Sequence, residues 1–129
     1  MRMISSEASR DLAEWTAPIV IDVISAVYGR WLAGQPRHAR SVTQAHYRVW
    51  RHLLSGDCDA AMGEREGLRA LASAAGLDED HLLEADRAVL LEVLQCVLTR
   101  FQRSPQVAYG YTMTLVDAAS SLAVDRAAA

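Results

Sequence analysis

The sequence predicts an all-α domain of about six helices. Three observations carry that prediction. Apolar residues recur at three- and four-residue spacing over almost the whole chain. Turn signals at Gly34-Gln35-Pro36, Ser55-Gly56, Gly76 and Ser104-Pro105 cut that pattern into helix-sized pieces. Ala and Leu dominate a composition with only three Pro, and both enter helices at little cost. No segment reads as a strand, and no internal repeat is visible. A chain of 129 residues is long enough to bury one core.

Residues 1–10 read as a flexible lead-in to one domain over 11–129. From Asp11 to Leu32 the apolar residues Trp15, Ile19, Val23, Val27 and Trp31 recur every four positions. Val20, Ile24 and Tyr28 form a neighbouring row, so the buried stripe is wide. Pro18 lies inside this pattern and lacks the N–H that the preceding turn needs. A short helix before Pro18 and a longer one after it are therefore expected. The polar run 35–40 reads as a connection.

The next helix is expected over 41–54, capped by Ser41 or Thr43. Val42, Ala45, Val49 and Leu53 face the core there, and Gln44, Arg48 and Arg51 face water. Gly56 ends it as a left-handed residue would. The following helix, over about 59–75, places Ala61, Met62, Leu68, Leu71 and Ala72 inward. Glu64, Arg65, Glu66 and Arg69 are expected on its wet face. Asp78 caps a long helix over 79–102 that is apolar on more than one side, with Leu82, Ala85, Val89 and Val97 on one flank and Leu83, Leu90, Leu91, Leu94 and Leu98 on another. Pro105 opens the last helix, 105–128, behind a Ser104 cap. Leu115, Ala118 and Leu122 lie at helical spacing in it.

The chemistry of sites is sparse. Net charge is −3, and the 13 basic residues, all Arg, are dispersed, which offers no electrostatic footprint for nucleic acid. The N-terminus lacks an apolar signal core, and the stretch from Ala17 to Val27 is short and broken by Asp22 and Ser25. A cytoplasmic protein without membrane insertion is expected, with Cys58 and Cys96 as reduced thiols. Of the four histidines, His38 and His52 read as solvated, His81 as a helix-start residue and His46 as inward-facing. No two stand at zinc spacing, so no metal site is expected. No catalytic constellation or phosphate loop is visible, and no enzymatic activity is expected.

The segment LLSGDCDAAMGEREGLRALASAAGL, Leu53 to Leu77, resembles the sensor-globin domains of bacterial globin-coupled sensors. That family carries an L-x-S-G-like turn, an acidic residue, a charged helix and a motif of the form H-x-x-[IV]-G-L. Gly76-Leu77 match the end of that motif, and Ala26-Val27-Tyr28 resemble a motif of the family's second helix. The similarity spans roughly Glu14 to Ala123. The resemblance implies a globin-like fold whose ligand pocket involves Tyr28, His46, Val49, Leu68, Ala72 and His81. It places the proximal haem histidine at Ala72, and alanine cannot bind iron. No cofactor is therefore expected.

The resemblance further implies that the last two helices pair as a dimeric four-helix bundle, with Leu83, Leu90, Leu94, Leu115 and Leu122 in the contact. The function so implied is a haem-free, dimeric sensor module that signals to an output domain or partner of chemotaxis, kinase or diguanylate cyclase type. The final helix-forming run, Ala127 to Ala129, is expected to continue into such a domain or to dock one in trans. The alternatives are a haem-binding oxygen or redox sensor using His46, a pocket for a fatty-acid-like apolar ligand, and a ligand-free adaptor dimer.

Overall fold

The computed structural model describes residues 6–128, with side chains over 10–123. Among the described residues the chain forms five helices and no strand: α1 (Ser6–Trp31), α2 (Pro36–Leu54), α3 (Cys58–Ala74), α4 (Glu79–Arg100) and α5 (Pro105–Ala128). α1 lies centrally, against α2 on one side and α4 on the other. α2 pairs with α3, and α4 pairs with α5. Trp15 near the start of α1 meets Phe101 at the end of α4, and Trp31 at the end of α1 meets His81 at the start of α4. The two helices are therefore antiparallel.

The division expected at Pro18 does not occur, and α1 is continuous. Residues 6–10, expected in the lead-in, already belong to it, and residues 1–5 lie outside the described residues. Pro18 and Glu14, whose carbonyl the proline cannot serve, are both exposed, so the missing hydrogen bond falls on the wet side of the helix. Burial of Leu12, Ala13, Thr16, Val20 and Ile24 on both sides of the proline holds the two halves in line. By length and composition, residues Arg10–Trp31 would suffice to cross a membrane, contrary to the expectation drawn from the shorter stretch. Its buried residues face the protein's own core.

α2 begins earlier than expected. Pro36 occupies the first turn, where its missing N–H costs nothing, so neither Ser41 nor Thr43 caps it. It ends at Leu54, and Gly56 follows at φ +87°, a conformation that a side chain disfavours. Asp57 caps α3 by accepting from the Ala60 N–H at 3.1 Å. Gly76 repeats the left-handed exit at φ +86°. Asp78 then opens α4 with a capping box: its carboxylate accepts from the His81 N–H, and the His81 ring accepts from the Asp78 N–H.

The core draws on every helix. Ile24, Val42, Val49, Leu68, Leu82, Val89, Val97 and Leu115 have no or almost no exposed surface. Each large aliphatic side chain so buried contributes about 1.5–3 kcal/mol. Leu115 and Leu122 were expected at a subunit contact, but both face inward and belong to this core. Leu83, Leu90 and Leu94 are half-buried, the last two against the protein's own core. Among the described residues, the large apolar side chains that the last two helices turn outward are instead Leu91 and Leu98 on α4 and Val107, Tyr109 and Val116 on α5.

Candidate functional site: a buried polar network

α4 approaches α1 and α5 closely, while its backbone stands off from α2 and α3. Long side chains span the wider gap. Trp50 from α2 and Arg65 from α3 are, among the described residues, the largest fully buried side chains. Both reach Asp86 of α4. Its Oδ1 accepts from Trp50 Nε1 at 2.9 Å and from His46 Nε2 at 2.5 Å, and its Oδ2 lies 3.1 Å from Arg65 Nη2. The other ring nitrogen of His46, Nδ1, lies 2.6 Å from the Tyr28 hydroxyl. Arg65 also donates to Glu79 at 2.9 Å, and Arg69 donates to the same carboxylate at 3.0 Å. One connected set thus runs from α1 through α2 to α4 and α3.

Proton positions follow from polarity. A carboxylate only accepts, so the His46 Nε2–H donates to Asp86. In the neutral ring Nδ1 is the acceptor, and Tyr28 donates to it. Burial pushes the Asp86 carboxyl up, but the His46 and Arg65 contacts and the Trp50 hydrogen bond outweigh it and hold it below the usual carboxylate range. Glu79 behaves likewise: burial raises it, and hydrogen bonds from Arg69 and Arg65 bring it below its ordinary value. The Tyr28 phenol is driven far upward by burial first and by the Asp86 charge second, so it stays protonated.

Of the residues expected to line a pocket, Tyr28 and His46 are in direct contact. Val49, Leu68 and Ala72 are buried in the same core. His81 caps α4 and sets its ring edge-on to Trp31 at 5.0 Å, and Trp31 in turn meets Tyr28 at 5.6 Å. Tyr28, His46 and Asp86 stand in the order hydroxyl, imidazole, carboxylate, which is the order of a nucleophile relay. Tyr28 and His46 have no exposed surface, however, so that hydroxyl meets no substrate in this conformation.

Arg65 is the clearest correction. Expected in water, it is fully buried. Asp86, Trp50 as a donor and Glu79 were also missed as members of one site. A signal existed in the spacing. Arg65 lies in the stripe Ala61, Arg65, Leu68, Ala72, and Asp86 lies in the stripe Leu82, Asp86, Val89, Val93. One cation and one anion, each inside an apolar row of a different helix, are complementary once the rows face each other. The chain matches no protein-family model, no curated protein and no solved structure.

Proposed function

We propose that this domain is a haem-free signalling module of sensor-globin type, cytoplasmic and non-enzymatic, that self-associates as a homodimer and relays a signal to an output domain or partner. The observation that carries the reading is the exposed apolar surface of the last two helices. Leu91 and Leu98 on α4 are 60% and 53% exposed, and Tyr109 and Val116 on α5 are 63% and 46% exposed. Each pair is seven residues apart, the repeat that a helix presents to a helical neighbour. α4 and α5 lie against each other, so two copies supply four helices. The interface residues are then Leu91, Leu98, Tyr109 and Val116 rather than the inward Leu115 and Leu122.

The haem-free part of the proposal draws on the interior. Ala72, where the resemblance places an iron ligand, has no coordinating atom. His46, the substitute ligand, has both ring nitrogens engaged, so binding iron means giving up Tyr28 or Asp86. Trp50 and Arg65 fill the gap between α4 and the α2–α3 pair.

Sedimentation equilibrium tests the association. A dimer is expected for the wild type, and a monomer with unchanged helical content for Leu91→Arg/Leu98→Arg. A wild type that remains monomeric at high micromolar concentration overturns the proposal.

A further inference from the structure

α1 and α4 leave a groove of about 610 Å³ between their outer edges. Trp15, Ile19 and Val23 from α1 and Cys96 from α4 form its half-buried floor, and the exposed Gln95 and Thr99 of α4 make its polar edge. They stand there because the deeper positions of both helices, Thr16, Val20, Val93 and Val97, already fill the core. The two ends differ in charge. At one end the exposed Arg100 guanidinium lies 4.9 Å from the Trp15 ring centre. At the other, the exposed carboxylates of Asp22 and Glu92 flank the groove from opposite helices. At 1.5 Å of rise per residue, Asp22 stands about 10 Å along α1 from Trp15, and Glu92 about 12 Å along α4 from Arg100.

We propose that the α1–α4 groove docks an amphipathic helix of a partner protein, with an acidic side chain against Arg100 and a basic side chain against Asp22 and Glu92. The groove is open along its length, so a small molecule there would keep one side in water. A helix satisfies its own backbone and needs to lend only one apolar stripe. Two turns of helix span the distance between the charged ends. The end charges are solvent-exposed, so they select direction and register more than affinity, and the apolar floor supplies the contact. This site lies on the α1 side of α4 and holds whether or not the chain pairs through α4 and α5.

The test uses helix-stapled peptides carrying Glu at position i, Leu at i+3 and i+4, and Arg at i+7, titrated into isotope-labelled full-length protein. Saturable NMR shifts are expected at Trp15, Ile19, Val23 and Cys96. Arg100→Glu is expected to weaken that peptide on the order of tenfold. A second peptide with Arg at both ends is expected to bind the variant better than it binds the wild type. Asp22→Lys, an exposed change at the opposite end, gives the same test with a peptide carrying Glu at both ends, should Arg100→Glu fail to fold. The proposal is overturned by shifts on another face or by none at saturation. It is also overturned if charge reversal leaves affinity unchanged, or if groove shifts grow with protein concentration alone, which would assign the groove to a second copy.

Discussion

Replacing Asp86 with alanine removes the acceptor on which α2, α3 and α4 converge. Asp86 is 5% exposed, and its carboxylate serves Trp50, His46 and Arg65 at once. In Asp86→Ala the indole N–H and the His46 Nε2–H lose their acceptor. Arg65, with no exposed surface, loses the Asp86 carboxylate and keeps its ion pair with Glu79. Breaking a buried pair in this way typically costs about 3–5 kcal/mol. With unfolding entropy near 2.1 cal/mol/K per residue over this length, ~3 kcal/mol lowers Tm by about 11 °C. Urea unfolding followed by far-UV circular dichroism measures the loss directly, and calorimetry measures the Tm. Asp86→Asn keeps an acceptor for Trp50 and His46 but not the charge, so it is expected to fall between the wild type and Asp86→Ala. The pair Asp86→Leu/Arg65→Met removes both charges together and is expected to recover much of the lost stability. An Asp86→Ala protein within about 1 kcal/mol of the wild type would refute the reasoning, because the network would then carry no appreciable share of the fold.

Tyr28→Phe deletes the hydroxyl bound to His46 Nδ1 and is expected to cost about 1–3 kcal/mol by urea titration, since a buried ring nitrogen loses its donor. Asp86 and Glu79 both have folded pKa values held below their ordinary ones, so their contribution is present above the unfolded carboxylate range and is lost as pH falls through the folded values. Stability is therefore expected to drop below about pH 4, and less steeply in Asp86→Asn than in the wild type, as acid titration of unfolding would show. Leu115→Arg and Leu91→Arg separate core from surface. The first is expected to abolish folding and the second to leave the protomer folded, by circular dichroism of the two purified variants.

Much of the helical plan was legible because its punctuation is strong. Gly56, Gly76 and Ser104-Pro105 mark real boundaries, and the two glycines take the left-handed conformation that their positions suggest. Pro18 misled because a proline's local cost of about 3 kcal/mol is smaller than the burial on either side of it, and its face is wet. Pro36 misled in the other direction, as a helix start taken for a connection.

The site was half legible. His46 fell on an inward face and proved to be a hydrogen-bonded core histidine. Arg65 was assigned to water because arginine usually is, although its spacing put it inside an apolar stripe. A single helix cannot show whether such a cation has a partner. Only the packing of α4 opposite α3 supplies Asp86. The outward direction of Leu91 and Leu98 was equally hidden, since a helix apolar on two sides does not say which side the core takes.

Haemin titration of the purified protein, read as an absorption spectrum, bears most directly on the claim that a filled polar interior replaces a porphyrin. The predicted result is the spectrum of free haemin at every ratio, with no globin-like Soret band. Stoichiometric uptake with such a band, lost in His46→Ala, would contradict it.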